Sequence, residues 1–389
     1  MSHLRRRLAA AVVLAAIAAG WSAAGVGAST PATWQAWQHL PGVFDLAGPR
    51  ADGTVVAAAA GRLYQIAADG RISPFANGPQ GYRGSDGPEA YIALSPGLQD
   101  SGAGCRFAGG DLFVLDLGTV PEVIRVSPDG RAGAFASVPA TKTLSGIVFD
   151  TGGGFGHRLL VAGPAAQGDG TVVAAIDCRG GVTTVAHGLP AFEGGFAIAP
   201  PSFGAHAGEL VVPDELSGRI LAVTPSGQAV ELAASGIDHG GDIGVESAGV
   251  VPLSGGVLVA DRGTPGNPHP GTDSVLRIEP AALAAAGVAP GDVLLASEGG
   301  VVTVDLRCAA SCTVRTVAGG PAPAHGEGHL VGLGPAPGVA STPAATAAPG
   351  AGRGRLLRGV VSLLIGVAVI GTTLTLRARA RRQRRRTAG

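Results

Sequence analysis

Glutamates recur at one position in four similar segments of the chain. The segments, each ending in a proline, are PEAYIALSP with Glu89, FEGGFAIAP with Glu193, VESAGVVP with Glu246 and GEGHLVGLGP with Glu327. Aspartates end three apolar runs between them: LFVLD with Asp116, LVVPD with Asp214 and VLVAD with Asp261. Carboxylates that meet in one place repel one another, and a hard divalent cation, calcium or magnesium, relieves that repulsion. The alternative is that each carboxylate caps a turn by accepting hydrogen bonds from backbone N–H groups.

The elements that must position these carboxylates are short strands. Four units have an apolar-alternating strand, a tight turn and a second strand: GRLYQIAADGRISPFANG, PEVIRVSPDGRAGAFASV, GTVVAAIDCRGGVTTVAHG and GRILAVTPSGQAVELAASG. A fifth unit, GGVVTVDLRCAASCTVRTVAGG, has a longer turn, and a sixth, less regular one, DSVLRIEPAALAAAGVAPGDVLLASEGG, contains a short helical insert. Together with the segments above they give four strands per unit at a period of about 50 residues, which is typical of a β-propeller. We therefore predict an all-β propeller of six four-stranded blades, with five blades or a β-sandwich as alternatives.

The blade pattern predicts where the acidic residues lie. In a blade that starts at the central channel, the entry to the first strand and the exit of the second strand share one rim of the disc. The four glutamates and three aspartates are therefore expected on the same rim. Between Ala140 and Gly188 the sequence has Leu144 or Ser145 where a glutamate is expected. The predicted ring is thus incomplete, which favours an asymmetric site.

Histidines accompany the acidic residues at two places. His325 and His329 flank Glu327, and strand alternation places all three on one face. A zinc site is one interpretation, but the segment matches the other first strands, so we predict a strand with the histidines around the channel mouth. The loop of residues 261–274 carries His269 and Asp273 toward the same rim, with a rigid surface loop without a ligand as the alternative. No G-x-S-x-G, P-loop, C-x-x-C or H-E-x-x-H motif is present.

Both ends of the chain have the composition of membrane-targeting segments. Residues 1–28 have a basic start, an apolar stretch and small residues, as a secretory signal peptide does; a retained anchor is the alternative. Residues 29–334 form the predicted propeller ectodomain, and residues 335–358 a Pro/Ala/Gly-rich stalk. Residues 359–376 predict a transmembrane helix, and residues 377–389 an arginine-rich cytoplasmic tail. The expected location is the cell membrane, crossed once, with the propeller outside.

The distribution of charge indicates what the ectodomain binds. The chain has 28 basic and 28 acidic residues, but 3 arginines lie in residues 1–28 and 10 follow Gly352, while no acidic residue lies in either segment. The ectodomain keeps 15 basic and 28 acidic residues, a net charge of −13. This charge argues against nucleic acid as a partner and favours cations.

Four cysteines in an exported domain predict two disulfides, and the count alone leaves three pairings open. The blade assignment narrows the choice. Cys308 and Cys312 flank one hairpin turn, while Cys105 and Cys178 fall in links of neighbouring units on the rim opposite the acidic residues. We therefore predict the pairs Cys308–Cys312 and Cys105–Cys178.

The segment GGFAIAPPSFGAHAGELVVPDELSGRILAVTPSGQ resembles a blade of the six-bladed propellers that include NHL-repeat proteins and gluconolactonase-like, regucalcin-like enzymes. The resemblance covers roughly Phe44 to Gly334 and concerns the blade pattern. It implies a metal-dependent hydrolase site, in which one of the four glutamates and Asp261 or Asp214 match the family's metal ligands, with the aspartate as base. The family's site also contains asparagines, whereas this chain has only Asn77 and Asn267, and neither begins an inner strand.

Because no asparagine stands where the family's metal site has one, the sequence favours binding over hydrolysis. We predict a membrane-anchored extracytoplasmic binding module for a cation, an envelope ligand such as a glycan, a small molecule or a partner protein. The alternative is a divalent-metal-dependent hydrolase of the lactonase or esterase type.

Overall fold

The computed structural model of the chain describes residues 30–84, 90–118, 120–240, 243–298, 302–319, 326–335 and 337. All of them belong to the first of two compact units, residues 1–339. The predicted signal peptide, the stalk beyond residue 337, the transmembrane helix and the arginine-rich tail lie outside the described residues. Within the described ranges, no helix is both long and apolar enough to cross a membrane.

Six four-stranded antiparallel sheets form the described fold, which confirms the predicted six-bladed propeller. The inner strands of successive blades contact one another around the centre. From the centre outward, blade I contains β2 (Val43–Ala47), β3 (Val55–Ala59), β4 (Arg62–Ile66) and β5 (Ile72–Phe75). Blade II contains β6 (Ile92–Leu94), β9 (Leu112–Asp116), β10 (Glu122–Val126) and β11 (Ala132–Ser137), with β7 (Gln99–Asp100) and β8 (Cys105–Arg106) as a small hairpin between β6 and β9.

The next two blades follow the same order. Blade III contains β12 (Gly146–Phe149), β13 (Leu159–Pro164), β14 (Thr171–Ile176) and β15 (Val182–Leu189). Blade IV contains β16 (Ala197–Ile198), β17 (Leu210–Asp214), β18 (Arg219–Val223) and β19 (Ala229–Ala234), with a 3₁₀ helix (Pro201–His206) between β16 and β17.

Blades V and VI exchange strands. Blade V contains β20 (Val245–Val250), β23 (Val293–Ser297), β24 (Val302–Cys308) and β25 (Cys312–Gly319). Blade VI contains β26 (Val331–Gly332), β21 (Val257–Asp261), β22 (Ser274–Ile278) and, at its outer edge, the N-terminal strand β1 (Gln35–His39). After β20 the chain thus enters blade VI, forms β21 and β22, and returns to blade V through the helix α1 (Pro280–Ala285). Strands from both ends of the described chain close the ring.

This exchange corrects one prediction. The five regular hairpins are present, but the sixth unit, residues 273–300, is not a hairpin, because β22 and β23 lie in different blades. Likewise VESAGVVP and VLVAD do not share a blade, since β20 pairs with β23. The prediction assumed that consecutive strands pair, which is the usual arrangement in sheets. The predicted helical insert is correct, and it is the connection that carries the chain back.

The apolar core lies between neighbouring blades, because each strand presents alternate side chains to the sheets on either side. Between blades II and III, the ring centres of Phe107 and Phe149 lie 5.0 Å apart, and those of Phe113 and Phe149 lie 5.4 Å apart. The second of these edge-on pairs joins β9 of blade II to β12 of blade III. The inner strands are thereby fixed relative to one another.

Asp45 on β2 joins three inner segments at the centre. This side chain is fully buried, and Oδ1 accepts hydrogen bonds from the backbone N–H groups of Leu46 at 2.7 Å and His329 at 2.6 Å. Oδ2 accepts one from the N–H of Ile92 at 2.7 Å. Blades I, II and VI therefore share one carboxylate.

The ring of His329 extends this network to blade III. Its Nδ1 lies 3.0 Å from both carboxylate oxygens of Asp45, and its Nε2 lies 2.7 Å from the carbonyl oxygen of Ile147. A carboxylate and a carbonyl only accept hydrogen bonds, so both ring nitrogens carry a proton and the ring is a cation. Burial acts to lower the pKa of His329, but the charge of Asp45 and the hydrogen bonds to Asp45 and Ile147 outweigh it, and the pKa is raised.

The predicted disulfide pairs are both confirmed. Cys105 is bonded to Cys178, with their Cα atoms 6.0 Å apart, and Cys308 to Cys312, with theirs 4.0 Å apart. The first bond joins the small hairpin of blade II to the β14–β15 turn of blade III. The second closes the β24–β25 turn within blade V.

The two disulfides should differ in their contribution to stability. Cys105 and Cys178 are 73 positions apart, whereas Cys308 and Cys312 are 4 apart. A longer closed loop restricts the unfolded chain more, so replacing the first pair by serines should cost about 4 kcal/mol and replacing the second about 2 kcal/mol. Urea unfolding of the two double variants measures this difference; equal losses would contradict it.

The His329 cation predicts a pH dependence of stability. The pKa of His329 is raised in the folded protein above its unfolded value. The stability that the protonated ring contributes is therefore complete below about pH 6.5, and it is lost as the pH rises through the folded pKa. The free energy of unfolding of the wild type should therefore fall over that range. His329→Gln should lose about 3 kcal/mol at low pH and should lack the fall. Replacing the exposed His269 by Gln is the matched control, and the account fails if His329→Gln keeps the wild-type pH profile.

Candidate functional site

The second-strand aspartates lie at the ends of their strands and bond their own turns. Asp116 Oδ1 accepts a hydrogen bond from the N–H of Gly118 at 3.0 Å. Asp214 accepts from the N–H and hydroxyl of Ser217, at 3.1 and 2.5 Å, and pairs with Arg219 at 2.9 Å. Asp116 and Asp214 therefore cap turns, which was the alternative to a cation site for these carboxylates.

Asp261 organises the loop that follows β21. Its Oδ2 accepts hydrogen bonds from the N–H of Thr272 at 2.7 Å and from the Thr272 hydroxyl at 2.5 Å. Asp273 ties the same loop to blade I, because its Oδ1 accepts from the N–H groups of Gly263 at 2.9 Å and Gly42 at 3.0 Å. His269 is exposed, and its backbone N–H donates to Asn267 Oδ1 at 3.1 Å. The side chains of Asp261 and Asp273 thus stabilise the loop.

The glutamates divide into an exposed and a buried set. Glu193 is exposed in the segment before β16, whereas Glu246 on β20 and Glu327 in the segment before β26 are 4% and 2% exposed. Glu89 and His325 lie outside the described residues. The structure therefore places predicted glutamates from blades IV, V and VI around the centre.

A β-bulge directs Glu246 inward. The pairing of β20 with β23 runs from Val245 opposite Ser297 to Ser247 opposite Ala296, so Glu246 is the extra residue. A neighbouring glycine makes room for it: Gly194 has a φ of 94°, and a Cβ there would lie 2.4 Å from Glu246 Cγ. Blade I has the same bulge at Phe44, between Val43 and Asp45. An acidic and an aromatic side chain thus occupy equivalent positions.

One oxygen of the Glu246 carboxyl has a hydrogen-bond partner, and the other has none among the described residues. The Tyr91 hydroxyl lies 2.7 Å from Glu246 Oε1, and the ring of Tyr91 packs edge-on against Phe44 at 4.7 Å. Glu246 Oε2 is buried and has no hydrogen-bond partner among the described residues. Burial raises the pKa of Glu246 well above its ordinary value, and the charges of Glu327, Glu298 and Glu193 raise it further. These effects favour a neutral carboxyl at this position.

Arg262 supplies a positive charge beside Glu327. Its Nη1 is hydrogen-bonded to Glu327 Oε2, and its guanidinium carbon lies 5.4 Å from the centre of the Phe44 ring.

Burial raises the pKa of Tyr91 well above its ordinary value, and the neighbouring glutamates, Glu246 first, add to this effect. We call the group of Tyr91, Glu193, Glu246, Glu298, Glu327, Arg262 and Phe44 the central pocket.

Sequence reasoning found three of these residues and missed four. Tyr91 follows Glu89 by two positions, so strand alternation could have placed it on the same face. Arg262 directly follows Asp261 and shares its rim. Glu298 comes from the end of β23, whose blade was misassigned, and Phe44 is recognisable only once the bulge is known. His329, which was predicted at the channel mouth, bonds Asp45 and Ile147 through its ring nitrogens, and no sequence pattern identifies Asp45 as its partner.

Comparisons with known proteins concern the fold. No family model matches the sequence, and no curated protein matches it. Among solved structures, the chain is similar to virginiamycin B lyase from Staphylococcus aureus, with 12% identity over 73% of each chain and a TM-score of 0.39. It is similar to the calcium-binding protein regucalcin from Agrobacterium tumefaciens, with 12% identity over 71% of this chain and 75% of that one and a TM-score of 0.40. It is also similar to a chain of a nidogen/laminin complex, with 12% identity over 74% of this chain and 83% of that one and a TM-score of 0.44.

Proposed function

We propose that the protein is a membrane-anchored binding module that holds its propeller outside the cytoplasm and takes a cationic ligand in the central pocket. The observation that carries this role is Glu246 Oε2, which is buried and has no partner in the described part of the chain. Three other glutamates lower the potential around it. A buried polar atom without a partner costs free energy, and a cation bound beside it would remove that cost. The ligand is a free cation, or the cationic group of a small molecule, envelope glycan or protein.

Two kinds of observation support the extracytoplasmic placement. The two disulfides suit an oxidising compartment. The predicted signal peptide, the apolar segment 359–376 and the arginine tail, in this order along the chain, favour a cytoplasmic C-terminus. In this proposal the membrane is a partner through the predicted C-terminal helix, and the acidic ectodomain argues against nucleic acid as a partner.

The side chains of the central pocket do not fit a divalent metal ion as they stand. Calcium takes about six to eight oxygen ligands, and magnesium demands octahedral geometry. Within the described ranges, no group of three or more His, Cys, Asp or Glu side chains is placed to hold a metal ion. Asp214 and Asp261, which the sequence offered as ligands, bond their own turns. Binding of calcium or magnesium would require these contacts to rearrange.

The contacts of Asp261 also favour binding over hydrolysis. In the hydrolase that the family resemblance implies, an aspartate accepts a proton from water. Asp261 Oδ2 instead accepts two hydrogen bonds from Thr272. The binding module is therefore the better supported function, and a screen for lactone and ester hydrolysis tests the alternative.

The membrane topology predicts a pattern of proteolysis. Protease added to intact cells should degrade the propeller and leave the arginine tail intact, because only the propeller lies outside. Immunoblots against epitopes at each end of the mature chain measure this. Protection of the propeller in intact cells, together with its digestion after lysis, would contradict the proposed placement.

Binding at the central pocket predicts a stabilisation by cations. A cation that binds only the folded state should stabilise it by about 2.7 kcal/mol at a hundredfold excess over its dissociation constant. Melting curves with calcium, magnesium, agmatine or a chelator should show such a shift for at least one cation, and Glu246→Gln should reduce it. Asp116→Asn, which changes a turn-capping acid, should retain the full shift. No shift with any cation, or an equal shift in Glu246→Gln, would overturn the proposal.

A further inference from the structure

We infer that the central pocket binds a guanidinium group, and that Arg262 occupies the place of that group until a ligand displaces it. This inference rests on the proposed binding function and narrows its ligand from a cation in general to a planar organic one. The structure contains a guanidinium in the pocket already, since Arg262 contacts the Glu327 carboxylate on one side and the Phe44 ring on the other. The pocket is thus built for a flat cation.

The lining of the pocket explains this preference. A guanidinium is planar and weakly hydrated, stacks on aromatic rings and donates hydrogen bonds to carboxylates in its plane. Phe44 and Tyr91 form an aromatic wall, with ring centres 4.7 Å apart. Carboxyl groups of Glu246 and Glu327 lie beside that wall. A compact metal ion gains nothing from the rings, whereas a guanidinium uses both the rings and the acids.

The position of Arg262 permits displacement. Its side chain is 21% exposed, whereas that of Glu327 is 3% exposed, so the arginine forms the outer part of the ion pair. It also begins the loop between β21 and β22, which contains three prolines and ends at Ser274. An incoming guanidinium that replaces Arg262 would regain the Glu327 and Phe44 contacts. Because a free guanidinium is not tethered to the end of β21 as Arg262 is, it can also move toward Glu246 Oε2, which has no hydrogen-bond partner among the described residues and whose carboxyl interacts electrostatically with Glu327.

Replacement of Arg262, whose guanidinium occupies the proposed ligand position, tests the inference. Agmatine, as a free guanidinium compound, and a short peptide with one internal arginine are titrated into the full-length protein in detergent by calorimetry. Arg262→Ala should bind at least one of them tenfold or more tightly than the wild type does. Adding Glu246→Gln to Arg262→Ala should remove most of this gain. If Arg262→Ala does not fold, Arg262→Gln, which can still donate to Glu327, takes its place.

The controls separate this inference from the proposed function. Arg158→Ala removes an arginine of similar exposure that pairs with the buried Asp100 on the other rim, and it should leave agmatine binding at the wild-type value. Putrescine, which matches the two positive charges of agmatine with two ammonium groups and has no guanidinium plane, should bind Arg262→Ala more weakly than agmatine does. If calcium or magnesium binds and agmatine does not, the guanidinium assignment is wrong while the binding function stands. If no cation binds the wild type or Arg262→Ala, both are wrong.

Discussion

The contact between Asp45 and His329 is the constraint on which the centre of this propeller depends. Four blades meet there through one carboxylate and one imidazolium: Asp45 accepts N–H groups from blades I, II and VI, and the His329 ring reaches Ile147 in blade III. Each partner is buried, so neither is stable there without the other. The pair therefore sets the spacing of the inner strands, and this spacing determines how close the glutamates of the remaining blades come.

The strand exchange between blades V and VI completes the pocket. Glu246 is on the inner strand of blade V, Glu298 follows the second strand of that blade, and Arg262 and Glu327 belong to blade VI. The chain crosses between the two blades three times, after β20, through α1 and before β26. Consequently four of the five charged residues of the pocket are held by the two exchanged blades, and the fifth, Glu193, comes from the segment before β16 in blade IV. The other side of the pocket is aromatic, with Phe44 from blade I and Tyr91 from blade II.

The sequence predicted the blade count, the hairpins and the Cys308–Cys312 disulfide from local signals, and the Cys105–Cys178 disulfide from the blade assignment that those signals allowed. Alternation and D-G turns define hairpins within about 20 residues, and Cys308 and Cys312 lie within one of them. The exchange of blades V and VI could not be predicted in this way, since it depends on which of two neighbouring sheets accepts β21. Nor could Asp45 be recognised, because its partner His329 lies 284 positions away.

Of the predicted acidic residues, Glu246 and Glu327 lie together at the centre. Strand alternation does not account for this position of Glu246, because a β-bulge directs its side chain inward. The aspartates share the rim but turn toward their own loops, and whether a carboxylate faces a channel or caps a turn depends on side-chain rotamers that no periodicity encodes. The charge pattern therefore identified the region, and the contacts of Glu246 identified its Oε2 as a buried atom without a hydrogen-bond partner among the described residues.

The central claim is that burial and the neighbouring glutamates raise the pKa of Glu246 well above its ordinary value, and that a cation bound beside the carboxyl lowers that pKa again. Infrared difference spectroscopy of the wild type against Glu246→Gln at neutral pH tests this most directly. The account predicts that the wild type shows the carbonyl stretch of a protonated carboxylic acid, that Glu246→Gln lacks it, and that a bound cation replaces it with carboxylate bands. A spectrum in which Glu246 contributes only carboxylate bands in the ligand-free protein would contradict the account.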